Sequence, residues 1–355
     1  MIRVNKEKEY TSFFNSRTGE YIRTGIIENG VDTGKDPFMA PFPELLDVGI
    51  MGHCKHGASG LCVKAGVECY QDGLHANKPN MSLEDFIEIV KQCRKHTFQI
   101  ALGGCGDPDQ HEEFEEILKV CCDARIVPNF TTSGLGMTPE IAGMCKKYCG
   151  AVAVSWYRSE YTTKAIKLLV DAGVKTNVHY VLSKSTVKEA LERLKDRQGF
   201  GEGINAVIFL LHKPVGLGTK EEMITSDNKE FWTLLDYINE QDFPFKIGFD
   251  SCSVPAVLSL NNVNENAVDT CEGGRWSAYI SADMKMMPCS FDNQMQRWAV
   301  DLKEKSMQEA WNSEKFEDFR NHFRNRCPEC EKRELCMGGC PIVPEIVVCQ
   351  REVGK

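Results

Sequence analysis

Seventeen of the 355 residues are cysteine, and eleven of them fall into two groups. Cys54, Cys62 and Cys69 lie in GHCKHGASGLCVKAGVECYQDG, a glycine-rich stretch directly after an apolar run, with gaps of seven and six residues. The other eight run from Cys252 to Cys349. Disulfide scaffolds of this density are short secreted chains, and nothing in MIRVNKEKEY directs export. Thiols that cluster in a reducing compartment point to metal instead, and a cytoplasmic protein is expected. The remaining six (Cys93, Cys105, Cys121, Cys122, Cys145, Cys149) are scattered and read as small buried hydrophobes. Two classes of function are disfavoured. The net charge of −9 argues against broad capture of nucleic acid. The apolar runs, such as LLDVGIM and AVIFLL, fall far short of the ~20 residues that span a bilayer.

From residue 45 the chain alternates. LLDVGI, FQIALGG, IVPNFTTSG, AVAVSW, KTNVHYVLS and NAVIFLLH read as strands, FKIGF as a short seventh, with amphipathic helices between them. The first helix, MSLEDFIEIVKQCRKH, has Ser82 as N-cap and Asp85 three residues on. Six β–α units in series predict a parallel sheet covered by helices. The expected fold class is α/β, a partial (β/α)6 TIM-like barrel, with functional residues at the C-terminal strand ends. The cysteine trio follows the first strand and so falls on that face. Ahead of it, EYTSFFNSRTGEYIRTG reads as a hairpin. After residue 250 strands shorten, Pro and Gly rise and cysteines dominate. The expected division is an N-terminal hairpin extension (1–44), a barrel (45–250) and a metal-held C-terminal domain (251–355).

CPECEKRELCMGGC sets Cys327, Cys330, Cys336 and Cys340 at gaps of two, five and three. Upstream stand Cys252, Cys271 and Cys289, and Cys349 lies beyond. Eight thiolates complete two four-thiolate sites, which zinc and [4Fe–4S] clusters can both occupy. Spacing alone does not choose between them. The pattern of these residues resembles the SPASM domain, which holds two auxiliary [4Fe–4S] clusters in many radical-SAM enzymes that modify peptides and proteins. The second half of the family pattern, Cys-x2-Cys-x5-Cys-x3-Cys and a last Cys, is met in full. The first half departs, with Met284 where the family has glycine. AWNSEKFEDFRN resembles the helix before the motif. The resemblance implies Cys271, Cys289 and Cys340 on a first cluster, with Cys252 as natural fourth ligand, and Cys327, Cys330, Cys336 and Cys349 on a second.

The barrel then resembles a radical-SAM core, in which three cysteines after the first strand bind three irons of a [4Fe–4S] cluster and the fourth iron chelates S-adenosylmethionine. That implies Cys54, Cys62 and Cys69 as ligands, their glycines (Gly57, Gly60, Gly66) supplying φ > 0 turns, although the loop departs from the family's Cys-x3-Cys-x2-Cys and has Glu68 where an aromatic precedes the third cysteine. His53 and His56 flank Cys54 as possible competitors. GGCGDP resembles the family's Gly-Gly-Glu-Pro motif, with Asp107 for Glu, and implies Gly104, Gly106 and Asp107 at the methionine end of SAM. TTSG (Thr132, Ser133) and VSWYR (Ser155, Arg158) stand where further SAM contacts usually arise. Cys105 in this motif is a possible hydrogen donor, with an inert thiol as the plainer reading. His179 and His212 could face the pocket, and structural histidines are the plainer reading there too.

The resemblance implies a radical-SAM enzyme that cleaves SAM to a 5′-deoxyadenosyl radical and abstracts hydrogen from a ribosomally made peptide. The product would be a crosslink, thioether, epimer or excision. Three [4Fe–4S] clusters and SAM are the implied cofactors. The implied partners are a precursor peptide, a separate leader-binding protein or direct docking on the hairpin, and an electron donor such as flavodoxin or ferredoxin. Oxidation of a small molecule is the nearer alternative, and a non-enzymatic zinc-binding adaptor the remoter one. The sulfatase-maturing branch places an Asp base right after the second SPASM cysteine. Here Ser290 holds that place and Asp292 lies two further on, which disfavours that branch.

Overall fold

The computed structural model describes residues 2–349 apart from 197–198, 261–262, 326, 328 and 347. Three antiparallel strands open the chain, β1 (Ile2–Lys6), β2 (Thr11–Asn15) and β3 (Tyr21–Arg23), and a small hairpin comes next, β4 (Ile27–Glu28) and β5 (Val31–Asp32). The expected hairpin is β2–β3, and β1 is an addition to it. IRVNK alternates, and its polar members turn toward the barrel. Arg3 Nη1 donates to the carbonyls of Thr97 (2.8 Å) and Arg125 (2.9 Å), and Asn5 Nδ2 to that of His96 (2.7 Å). The buried carboxylate of Glu44 accepts from the hydroxyls of Ser12 (2.8 Å), Tyr21 (2.5 Å) and Tyr10 (3.2 Å), so one side chain ties this small sheet to the first strand of the large one.

That large sheet has ten strands in the order β12-β11-β10-β9-β8-β7-β6-β13-β14-β15. The seven expected strands are β6 (Leu45–Met51), β7 (Gln99–Gly104), β8 (Val127–Thr132), β9 (Val152–Ser155), β10 (Thr176–Leu182), β11 (Ala206–Leu211) and β12 (Lys246–Phe249). Neighbours among them pair in parallel. Two short helices, α1 (Lys55–Ser59) and α2 (Leu61–Lys64), fill the cysteine loop, where a continuous loop was expected. The crossover helices are α3 (Leu83–Cys93), α4 (Phe114–Asp123), α5 (Pro139–Tyr148), α6 (Glu160–Asp171), α7 (Val187–Lys195) and α8 (Lys229–Glu240). Ser82 caps α3 as expected, its Oγ accepting from the Asp85 amide at 3.2 Å, but the Asp85 carboxylate pairs with Lys303 instead of returning to the cap.

Beyond β12 come α9 (Val254–Val257), β13 (Ser277–Ile280), β14 (Lys285–Met287), β15 (Val300–Asp301), α10 (Met307–Trp311), α11 (Glu314–Asn325) and α12 (Arg333–Cys336). β13 adds to β6 in parallel, and β14 and β15 extend the edge antiparallel. The sheet therefore runs across residue 250, so a division there cuts no sheet boundary. The single helix expected at AWNSEKFEDFRN is two, α10 and α11.

Alternation along the parallel strands sets the layers. Leu46, Val48, Ile100, Leu102, Phe130 and Val154 join the main core beneath the crossover helices. The opposite face carries small and polar residues. Gln99, Ala101, Asn129, Thr131, Asn177 and His179 line a hollow of about 330 Å³. A closed eight-stranded barrel fills its interior with branched side chains. This open one keeps a polar chamber, with functional strand ends above it.

Replacing Glu44 with Ala leaves three hydroxyls without their acceptor in a buried place. Each lost charged or buried hydrogen bond costs about 1–3 kcal/mol. We expect Glu44→Ala to destabilise the protein by about 2–4 kcal/mol in denaturant unfolding. A change under about 1 kcal/mol would show that the small sheet is not held here.

Candidate active site

Cys54 stands just past β6 and caps α1, its Sγ accepting from the Gly57 amide at 3.0 Å. Gly60 (φ 69°) and Gly66 (φ 71°) turn the chain as expected. Gly57 does not: it is helical and buried, and what it supplies is space. A Cβ on it would stand 2.1 Å from the Gly73 carbonyl oxygen. Gly73 is a second pinch point, since its Cβ would stand 2.9 Å from the Cys105 carbonyl oxygen and 3.2 Å from Cys54 Cβ. The Gly73 amide points to Cys69 Sγ at 3.5 Å. Cys54, Cys69 and Cys105 thus surround one glycine. Burial pushes the Cys54 and Cys105 thiols up to about 11, and each also feels Cys69. Burial likewise raises Cys69, which in turn feels Cys62. Among the described residues no three His, Cys, Asp or Glu side chains close to a single-ion shell.

GGCGDP packs directly on this loop. Gly104 (φ 115°) and Gly106 lie where a Cβ would fall 2.4 Å from the carbonyl oxygens of Met51 and His53 respectively. Asp107 accepts from the Ser133 amide (2.7 Å) and hydroxyl (2.6 Å), and burial pushes its carboxyl upward. Ser155 ends β9 beside half-buried Tyr157. Two expected SAM contacts are placed elsewhere. Thr132 is buried on the helix side of β8, its Oγ1 accepting from the Gly134 amide at 3.0 Å. Arg158 pairs with Glu189 of α7 at 2.5 Å and lies over the Tyr180 ring. Their alternation on the strand and a nearby carboxylate draw both away from the chamber.

The histidines take structural roles. His56 Nε2 lies 2.7 Å from the Tyr161 hydroxyl, and its ring stacks on Tyr157 at 5.3 Å. His212 Nε2 lies 2.9 Å from the Thr219 carbonyl oxygen and 3.3 Å from Glu68. His179 does face the chamber, 3.4 Å from Thr131 Oγ1, and burial pulls it down to about 4, so it is neutral at physiological pH. Sequence reasoning missed Asp109. Burial, then the Asp107 charge, pushes it up to about 7, and neither of its buried oxygens has a well-formed hydrogen bond. The signal was available, as a second Asp two residues after the first.

The C-terminal thiols gather as two sets. Cys252 and Cys340 share a hydrogen bond. Cys271, pushed by burial to about 12, feels Cys252, and Cys289, also raised by burial, feels both. Cys340 feels Cys289 and Cys271 in turn. Cys336 feels Cys349, Cys327 and Cys330. Beside the first set lies Lys213, buried (5% exposed), donating to Asp250 at 2.6 Å and to the Leu211 carbonyl at 2.9 Å, with the Phe291 ring at 4.6 Å. Burial alone would lower its pKa, but Asp250 and the neighbouring thiols outweigh that and raise it. Met284, at the family's glycine position, has φ 62°. The backbone keeps the left-handed turn, at roughly 1 kcal/mol for a side chain that the core then buries. Asp292 accepts from the Arg297 and Trp298 amides (3.0 and 2.9 Å), a structural use of that carboxylate.

Residues 271–336 match the SPASM family, an iron–sulfur cluster-binding domain. The chain carries a SPASM domain. The fold is shared by solved structures, three of which follow. The SAM-bound form of Streptococcus suis SuiB aligns with TM-score 0.66 at 16% identity, covering 88% of this chain and 78% of that one. SuiB bound to its precursor peptide SuiA aligns with TM-score 0.69 at 14% identity, covering 98% of each. anSMEcpe with bound AdoMet and the Cp18Cys peptide aligns with TM-score 0.60 at 16% identity, covering 84% and 89%. At these identities the likeness establishes the fold. No curated protein matches the chain. The SPASM thiols suit an iron–sulfur cluster chemically. Four thiols share one buried space in which burial opposes loss of their protons, so a bound metal cluster is what would hold them as thiolates.

Lys213 and Asp250 form a buried ion pair, and removing one partner of such a pair costs about 3–5 kcal/mol. Lys213→Met should cost that much in denaturant unfolding, and the double change Lys213→Met/Asp250→Leu should recover most of it. No recovery would mean that Lys213 acts through something other than Asp250.

Proposed function

We propose that this chain is a radical-SAM/SPASM enzyme that abstracts hydrogen from a ribosomally made peptide to install a post-translational modification. The observation that carries this reading is the packing of the Cys54–Cys69 loop on GGCGDP at the C-terminal strand ends, in the fold shared by SAM-bound and peptide-bound structures. Cys54, Cys62 and Cys69 would hold one [4Fe–4S] cluster. Cys252, Cys271, Cys289 and Cys340 would hold a second, and Cys327, Cys330, Cys336 and Cys349 a third. When bound, the first cluster supplies the electron that splits SAM into methionine and a 5′-deoxyadenosyl radical.

The chain's own residues bind, orient and exclude. Gly104 and Gly106 let the motif pack against the cysteine loop, and with Asp107 and Ser133 they would hold the methionine end of SAM, while Ser155 would meet its ribose. Tyr157 and His56 wall the site with aromatic surface. Cys105 stands beside Cys54 and Cys69, a possible thiol hydrogen donor. A low-potential donor such as flavodoxin or ferredoxin and a separate leader-binding protein are partners in keeping with a cytoplasmic role. Among the described residues no helix is long and apolar enough to cross a membrane. In this reading the chain comprises an N-terminal extension (1–44), a radical-SAM core (45–250) and a SPASM region (251–355), the last two sharing one sheet.

Anaerobic reconstitution should yield about twelve irons and matching sulfide per chain, four per cluster. Replacing Cys54, Cys62 and Cys69 together by Ala should leave about eight irons and abolish 5′-deoxyadenosine formation from SAM. Zinc without sulfide, or undiminished SAM cleavage in the triple variant, would overturn the proposal.

A further inference from the structure

The interior face of β6 carries one charge. Leu46, Val48 and Ile50 point into the core beneath the helices, so Asp47 and Gly49 point the other way, to the interior face of the sheet. Gly49 confirms the direction, because a Cβ there would meet the Tyr279 hydroxyl at 2.4 Å. Asp47 stands opposite Tyr279 of β13 on one side and Ala101 of β7 on the other. Ala101 and, one strand further, Asn129 line the 330 Å³ hollow.

Asp47 makes no hydrogen bond or ion pair with any described residue. It is enclosed by protein yet remains partly accessible, as a side chain on the wall of an internal space must be. Tyr70, Tyr279, Glu272 and Cys289 feel its charge, and none of them is a cation. Arg23 and Arg275 act on Glu272, and no cation offsets the burial that pushes Asp47 up to about 6. Near neutral pH Asp47 is therefore mainly a carboxylate in a low-dielectric place without a counter-charge. Such a charge is costly unless paired. A second group nearby also lacks a partner. Gln71, 2% exposed, acts on Tyr70 and Tyr279, the same tyrosines, and its Nε2 is without a hydrogen-bond acceptor. Tyr70 is 38% exposed and its ring lies 4.7 Å from Phe291, where the cysteine loop meets the SPASM region.

We propose that Asp47 is the docking point for a cationic side chain, lysine or arginine, of the peptide substrate, with Gln71 Nε2 donating to a carbonyl beside it. The inference rests on the peptide-modifying reading above. Asp47 lies between the two thiol regions, since its cross-strand partner Tyr279 feels Cys105 and its own charge reaches Cys289. A side chain anchored there would bring the neighbouring C–H bonds of the peptide to the interior face, below the strand ends where SAM would bind. The anchored ammonium or guanidinium supplies the counter-charge that the fold omits, so the site selects for charge as well as size.

The test uses the reconstituted, SAM-loaded protein and a synthetic peptide library with one position varied among Lys, Arg, norleucine, Gln and Glu. Retained members are counted by mass spectrometry. Wild type should retain Lys or Arg members roughly tenfold or more over norleucine members. Asp47→Asn should retain them equally, and Asp47→Lys should favour Glu. Asp47→Glu, which keeps the charge, should keep the cation preference and decides the matter if the Asn variant does not fold. Retained cation preference in Asp47→Asn, its loss in a folded Asp47→Glu, or no preference in wild type overturns the inference. Failure of the broader reading has a different signature, the absence of 5′-deoxyadenosine from the wild-type protein.

Discussion

The structure depends on how closely two strand ends approach one another. Past β6 the chain must fold a long cysteine loop, and past β7 it must turn through GGCGDP. Both occupy the same volume above the chamber. Gly57, Gly73, Gly104 and Gly106 make that possible, because each has a backbone carbonyl oxygen inside 3 Å of where its Cβ would be. A side chain at any of them would push the loop off the motif, and Cys54, Cys69 and Cys105 would no longer share one neighbourhood. The thiols and the Asp107 carboxylate therefore come together through backbone packing, before any metal is considered.

The second constraint is the parallel pairing of β13 with β6. It binds the SPASM region into the barrel wall, so Cys271 and Cys289, on either side of the β13–β14 pair, are fixed relative to the strand that leads to Cys54. Lys213 and Asp250, from the ends of β11 and β12, then close the opposite side against Cys252 and Cys340. The four-thiol set is thus framed by elements from distant parts of the sequence. Each set has three partly buried thiols, and the fourth is what differs: Cys340 is buried in the first set and Cys327 is exposed in the second. Exposure and nearby charge are what tune the potential of thiolate-held iron, so two sets of identical ligand type would sit in unlike electrostatic surroundings.

Much of this was legible in the sequence. All seven parallel strands were, because apolar alternation and helix caps agree on them. The clustering of the C-terminal cysteines was legible, but their division into two sets came from the resemblance alone, since Cys340 stands in sequence among the members of the other set. What stayed hidden was tertiary. IRVNK reads as a charged tail until Arg3 finds three carbonyl oxygens on the barrel. β13 is too short to announce a sheet partner more than two hundred residues away. Thr132 sits at the right strand end but on the helix-facing side, a distinction of one residue in register, and Arg158, three residues past the end of β9, is drawn to Glu189. Met284 hides a turn behind an unexpected side chain, since its positive φ keeps the conformation that a glycine would take freely.

Asp47 shows why such residues escape a linear reading. Within LLDVGIM it looks like a lone interruption in a buried strand. Its meaning comes from a barrel that does not close. Were the interior filled as in an eight-stranded barrel, a carboxylate at this position would face branched side chains and the strand would not tolerate it. In an open sheet with Gly49, Ala101 and Gly103 as its neighbours on the same face, there is room for the charge and for something to meet it. The polar hollow and the unpaired carboxylate thus share the interior side of one sheet, and both arise from a sheet that stops at β12 and turns its other edge over to the SPASM strands.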